Sequence, residues 1–408
     1  MKRPTSMPSA LVALAALALT SCSTATQTRP TTPATEAPTA PPAATVTAGP
    51  EPSPTTTVDE VTTGAPGPTA GAGEDATVTG PASEVSAPAG PDAGTDPGPA
   101  AAALALAPED TAYLTLTDWA RIKARLGASD LTGESIQTDR SEFWRAVGPA
   151  TVLLTDGALR EENSRLGLRY GVTQDDARWE VRWTAEGDRP QGLALRLRED
   201  LDLEGLQHAV EDEVPGLEGA QVLEEAHLLL RDPATDLPLG AVPPVVVAFA
   251  GDAESELVVP GCLSWPTALG VDATVEEQDA VVDGAGDAVE DLLDPQAWAM
   301  AFTGRSATVT VVYPEGTSQA QAGADAAARV ALAEGWPTTE SVGWGDAFGL
   351  APDGPEEGYA VHARDGFVVV TIDYRVVNTT AAATVALAGL VPAALCADID
   401  WLEEPTGL

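Results

Sequence analysis

Apolar and polar positions alternate in short runs through residues 106–408, and these runs are interrupted by segments of helical period. Tyr113 to Thr117 alternates as a strand does, and Trp119 to Leu126 follows with the spacing of a helix. Trp179, Val181 and Trp183 alternate with Arg178, Glu180, Arg182 and Thr184; Leu193, Leu195 and Leu197 then alternate with Ala194, Arg196 and Arg198. A polar segment with Gly187, Pro190 and Gly192 separates the two runs, so they predict a β-hairpin. Leu203 to Val214 predicts an acidic helix and His227 to Leu230 a strand. Strand, helix, strand, strand, helix, strand is the order of a ferredoxin-like unit, although the stretch between the first helix and the hairpin is overlong for one.

Farther along, Pro244 to Ala250 reads as a strand, and alanine-rich helices are expected at about 274–293 and 318–335. Ala307 to Tyr313 is a β-branched strand between those helices, and Tyr359 to His362 pairs with Phe367 to Tyr374 in a hairpin around Asp365-Gly366. Residues 381–395 are almost wholly apolar. Fifteen residues fall short of the roughly 20 that cross a bilayer, and Pro392 interrupts them, so the segment predicts a buried helix. The fold class is α+β, antiparallel sheets with packed helices, with ferredoxin-like units as one way of connecting them. Both halves alternate hairpins and helices without an aligned motif. One domain or two subdomains, about 106–240 and 241–408, both fit that pattern.

Composition changes the picture at the N-terminus. All nine Trp, five Tyr and five Phe lie between Tyr113 and Trp401. Residues 23–105 are mostly Ala, Thr, Pro, Gly and Ser, and such a chain cannot bury enough apolar surface to offset its backbone entropy; it predicts a disordered stalk. Ahead of it, Lys2 and Arg3 precede the apolar run Ala10 to Leu19, the build of a signal peptide over residues 1–21. Leu19-Thr20-Ser21-Cys22 then resembles the lipobox of bacterial lipoproteins. That resemblance implies diacylglyceryl transfer to the Cys22 sulfur, cleavage before it, and a mature chain held on the outer face of the cell membrane; two acyl chains suffice for stable attachment. The expected layout is a lipid-anchored stalk, 22–105, followed by an acidic domain, 106–408. In layout and composition the chain resembles actinobacterial cell-envelope lipoproteins, which implies a location and no activity.

Charge excludes one class of partner. With 62 acidic against 21 basic residues the formal net charge is −41, whereas nucleic-acid affinity comes mainly from Lys and Arg on phosphates. Membrane contact is expected through the lipid, with an envelope protein or glycan as further partner. Beyond Cys22, the cysteines are Cys262 and Cys396; an extracytoplasmic compartment favours a disulfide between them, two buried thiols being the other reading.

Chemistry is sparse. The sequence has no GxSxG, HExxH, CxxC or glycine-rich phosphate loop, and His208, His227 and His362 lie apart along the chain. It calls for no cofactor and no metal. Asp283, Asp287 and Asp294 fit an EF-hand count in part, but Ala285 and Ala288 occupy two required positions, leaving a solvated acidic face or a weak cation site. Eight arginines fall between Arg160 and Arg198. Arg178, Arg182, Arg196 and Arg198 are the candidate anion-binding set, with pairing to nearby acids as the other reading. Trp336, Trp344 and Phe348 beside Asp346, Asp353, Glu356 and Glu357 fit either a sugar-stacking loop or core anchors. The functional expectation is a non-catalytic interaction module of the envelope; the rival is a hydrolase using paired carboxylates, which needs no motif.

Overall fold

The computed structural model describes residues 98–402, apart from 186–190, 271, 340, 341, 352, 353, 356 and 357. The signal peptide, Cys22 and the stalk up to residue 97 lie outside the described residues.

The first half runs through helix α1 (Gly98–Leu106), strand β1 (Thr111–Thr117), helices α2 (Trp119–Arg125), α3 (Gln137–Ala150) and α4 (Asn163–Tyr170), strands β2 (Ala177–Ala185) and β3 (Gly192–Leu197), helix α5 (Glu204–Glu211), and strands β4 (Gln221–Leu223) and β5 (Leu228–Arg231). The second half opens with α6 (Pro243–Ala248), β6 (Ser255–Pro260), α7 (Trp265–Leu269) and α8 (Val275–Ala285). It continues with β7 (Ala297–Thr303), β8 (Ser306–Val312) and α9 (Gln319–Glu334), then a small pair β9 (Thr338–Thr339) and β10 (Val342–Gly343). Helix α10 (Trp344–Ala347), β11 (Phe348–Leu350), β12 (Tyr359–Arg364), β13 (Phe367–Val376) and α11 (Thr379–Ala388) complete it.

All the larger strands join one antiparallel sheet, an α+β architecture. Its order is β11-β13-β8-β7-β6-β1-β2-β3-β5-β4, with β12 also on β13. Taken half by half, β1-β2-β3-β5-β4 repeats as β6-β7-β8-β13-β12, every neighbour antiparallel. The halves meet where β1 pairs β6, Leu114 opposite Val258 and Thr117 opposite Ser255. This order is not the ferredoxin-like one, which inserts the third strand between the first two; here β1 lies directly against β2 and the long α2–α4 connection packs on the sheet. The two halves share one continuous sheet.

The repeat extends to local chemistry. In each half the strand that pairs across the middle leads into a helix whose N-cap side chain, Asp118 or Ser264, accepts a backbone N–H, and whose first residue, Trp119 or Trp265, is fully buried. One face of the sheet carries α2–α5 over the first half and α7–α9 with α11 over the second. The opposite face carries α1 and α6, against Leu114, Leu116, Trp179, Trp183 and Val258. Trp183 presses so close to β3 that a Cβ at Gly192 would stand 1.9 Å from its Nε1, so that position admits only glycine. The β12–β13 turn has Asp365 at φ 49° and Gly366 at φ 89°, the paired positive φ of a tight hairpin.

Two expectations are corrected. Residues 98–105 do not belong to the stalk. They form most of α1, with Ala102 and Ala103 buried: alanine is the best helix former and is small enough to lie close on a sheet, so this element needs no aromatic. Pro244 to Ala250 is not a strand, since Pro243 and Pro244 start α6 and Val245, Val247 and Ala248 are buried beneath it. Proline's fixed φ suits the first helical turn, and that outweighs the β-preference of the valines. Residues 381–395 are largely buried, though Thr384 and Leu387 are exposed, and the helix stops at Ala388, the rest being turn with a short 3₁₀ stretch at Pro392–Ala394.

Under α9 lies a fully buried ion pair. Arg329 donates to Asp325 at 2.7 Å and to the carbonyls of Leu293, Ala393 and Leu395 at 2.6, 3.1 and 3.0 Å, while Tyr313 donates its hydroxyl to Asp325. Removing one partner of such a pair leaves a buried charge and orphaned acceptors. Arg329→Ala is expected to cost about 3–5 kcal/mol, read as a lower denaturant midpoint at unchanged slope.

Candidate functional site

The arginine-rich segment is where the sequence concentrates its charge, and the sheet divides it. Glu180 and Arg182 stand opposite Leu195 and Leu193, on the face under α2–α5. Arg196 stands opposite Trp179, on the other face. The four candidate arginines therefore do not share one surface. Arg178 and Arg196 both approach Glu199, at 3.9 and 3.6 Å, and Arg182 pairs with Glu180. Arg198 meets Asp176 at 2.9 Å, and Glu134 and Asp200 at 2.7 Å each. Arg165 and Arg169 pair with Glu162 and Asp212. Arg189 lies outside the described residues.

Beneath α2–α4 three acids are buried, Asp175, Asp176 and Glu180, whereas Glu134, Glu199 and Asp200 are exposed. Asp175 accepts from Arg140 and, at 2.7 Å, from the Trp144 indole, whose ring lies 3.8 Å below the Arg160 guanidinium. Asp176 accepts from the backbone of Gly133 and Thr173, both at 2.9 Å. Glu180 accepts from the Thr155 hydroxyl at 3.1 Å and the Ala158 N–H at 2.9 Å. Lys123 is buried in the same layer, donating to the carbonyls of Leu131, Asp175 and Ala177, with its ammonium pulled down to about 8 by burial. Each of these groups has a structural partner, so the network holds the helical layer on the sheet.

The aromatic cluster resolves the same way. Trp336, Trp344 and Phe348 are buried, with Trp344 4.5 Å from Phe348 and 5.1 Å from Tyr374 between ring centres, so they are core anchors and not a stacking platform. Asp346 caps α10 through the Gly343 N–H; Asp353, Glu356 and Glu357 lie outside the described residues. His208 and His362 are exposed and His227 sits in a left-handed turn, with His362 Nε2 3.2 Å from the Thr371 hydroxyl. Asp283 and Asp287 are exposed, whereas Asp294 accepts from the Ala397 N–H at 2.7 Å.

Two cavities stand out among the described residues. One of about 420 Å³ lies between the loop after α2 and helix α3, rimmed by Asp130, Asp139 and Glu142 over Leu131 and Phe143. The other, about 880 Å³, opens between the end of α3 and the start of α11, with Arg305 and Asp346 on its rim and the Thr379 hydroxyl tied to the Gly148 carbonyl across it. Neither contains a residue singled out as an anion ligand. No sequence signal marked the first cavity, because its three acids come from a loop and a helix in an acidic chain. No family model, curated protein or solved structure matches the chain.

Cys262 and Cys396 form a disulfide with Cα atoms 5.0 Å apart. The Asp294 carboxylate lies beside them, but bonded sulfurs carry no thiolate, so this trio is not a metal centre. The bond closes a separation of 134 residues. Reduction, or Cys262→Ser with Cys396→Ser, is expected to destabilise the domain by roughly 5 kcal/mol on the chain-entropy model, measured by denaturant unfolding with and without reductant. Two thiols titrating in the unfolded, unreduced chain would contradict the bond.

Proposed function

We propose that the chain is a cell-envelope lipoprotein, anchored through Cys22 on the outer face of the membrane, whose domain is a non-catalytic interaction module for an envelope protein or glycan. The signal peptide and lipobox support the anchor, and the Cys262–Cys396 disulfide fits an oxidising compartment. The observation that carries the module is the commitment of buried charge: Asp175, Asp176, Glu180, Glu254 and Asp325 each accept from arginines or backbone N–H groups that hold the fold. What is left for recognition is surface.

A second reading rests on the α2–α3 cavity, where Asp130, Asp139 and Glu142 line one hollow. Carboxylates on opposite sides of a bound sugar are the apparatus of glycoside hydrolysis. Asp139→Asn and Glu142→Gln separate the two readings: on a panel of envelope glycans, bond cleavage abolished by either variant establishes the hydrolase, and binding without turnover supports the module.

The anchor is tested directly. Wild-type protein is expected to enter the detergent phase, and Cys22→Ala to stay aqueous or to keep its leader. Intact mass showing an unmodified N-terminus elsewhere would overturn the anchor.

A further inference from the structure

Glu254 and Glu256 flank Ser255, the residue that starts β6. Glu254 is fully satisfied: Arg125, Thr151 and the Gly304 N–H all donate to it. Glu256 is not. It is 1 % exposed, on the face covered by α1 and α6, with Leu116 of β1 and Ala301 of β7 as its neighbours in register. Its Oε1 accepts from the Ala250 N–H at 2.7 Å and the Gly251 N–H also bears on the carboxyl, while Oε2, buried, completes no hydrogen bond of its own among the described residues.

What buries it is the end of α6 and the connection from Phe249 to Ala253. That cover has two polar ties. Arg364 at the end of β12 donates to the carbonyls of Val247 and Phe249, at 3.0 and 3.3 Å, and Glu256 holds Ala250. The charged groups facing Glu256 are Asp252 on the cover itself and Arg364. Helix α6, Pro-Pro-Val-Val-Val-Ala, brings none, and neither do Leu116 and Ala301. His362, two residues before Arg364, is exposed and spaced from the carboxyl by β13, β8 and β7.

We propose that Glu256 is a proton-operated latch: protonated, it keeps the 249–253 connection closed on the sheet, and ionised, it drives that connection open so that water reaches the carboxylate. An orphan carboxylate oxygen among Leu116, Ala301 and the α6 valines cannot be solvated while the cover is shut. The row in register with Glu256 continues through Ala301 to Thr308 and Asp373, which are part-exposed already and hydrogen-bonded to each other at 2.7 Å. The latch works near neutrality, because burial pushes the Glu256 carboxyl up to about 7 from an ordinary value near 4.5. The folded value lies above the unfolded one. The stability that the closed cover draws from this group is therefore complete below the unfolded value and is lost as pH rises through the folded one.

The test is amide exchange at Ala250 and its neighbours in the full chain, corrected for intrinsic rate. Linkage over this window predicts roughly 30-fold more opening at about pH 8 than at about pH 5.5, with β6 itself unchanged. Glu256→Gln, which cannot ionise, is expected to hold the same protection at both pH values. Should that variant fail to fold, infrared titration of the protonated carboxyl in the wild type replaces it, its loss expected to track the rise in Ala250 exchange. Protection that is flat with pH in the wild type, or that falls equally in Glu256→Gln, overturns the latch.

Discussion

The pairing of β1 with β6 is the constraint on which the rest of the structure depends. Each half is a five-strand antiparallel sheet whose first strand would be an open edge, and an exposed edge is a liability. Laying the two edges antiparallel converts both into the centre of one sheet and leaves the short β4 at one margin and β11 and β12 at the other. It also fixes where the helices go. Because the halves face each other head to tail, α1 and α6 arrive on the same face and the longer helical connections on the other. Arg125 of the first half, bonded to Glu254 at the mouth of β6, which in turn holds Gly304 in the β7–β8 turn, ties the joint at one end.

An acidic chain must still fold, and the halves solve this differently. The first half buries three acids under α2–α4, and a buried carboxylate is costly unless paired or hydrogen-bonded. This accounts for Arg182 and Arg198, which meet Glu180 and Asp176; Arg165, Arg169, Arg178 and Arg196 stand beside part-exposed or exposed carboxylates, and Arg160 lies on an aromatic ring. Residues 241–408 have only four arginines, Arg305, Arg329, Arg364 and Arg375, against 26 acids. Its helical layer is alanine-rich, keeps most acids in solvent, and spends Arg329 on Asp325. Glu254 and Glu256 are buried in this half as well, so carboxylate burial alone does not divide the halves, and a concentration of arginine on a strand pair is weak ground for an anion site.

Local pattern carried the strands, the two hairpins and the long helices, because alternation and helical period act within a few residues. The strand order was not legible. Two halves whose sequences share no motif adopt one topology through long-range pairing, and nothing in the spacing of β1 and β2 says that β3 is excluded from between them. Helices α1 and α6 were misread for the same reason in opposite directions: alanines without aromatics looked unfoldable, and valines after prolines looked extended, until a sheet surface was there to receive them. Nor does the spacing of the candidate arginines show which face each takes: the register of β2 against β3 sets Arg182 opposite Leu193 and Arg196 opposite Trp179. Glu256 left no signal at all, since a glutamate in an apolar strand looks like a solvent-facing position until α6 is seen above it.

The end of the chain shows how different bonds converge on one segment. Residues 393–396 carry no charge, and their backbone is held from three sides: Arg329 takes the carbonyls of Ala393 and Leu395, Leu263 bridges Leu395 in parallel, and the disulfide fixes Cys396 to Cys262. The Trp265 indole adds the Cys396 carbonyl at 3.3 Å. The loop after β6 is therefore bonded to the C-terminal segment, and that segment to α9. These bonds are coupled because they share a backbone, so losses at Arg329 and at the disulfide should not simply add. With the disulfide intact, Cys396 stays near its place even when Arg329 is lost, and without it the buried guanidinium must hold the segment alone. The covalent link thus sets how much each buried hydrogen bond contributes, in the half of the molecule where ion pairs are fewest.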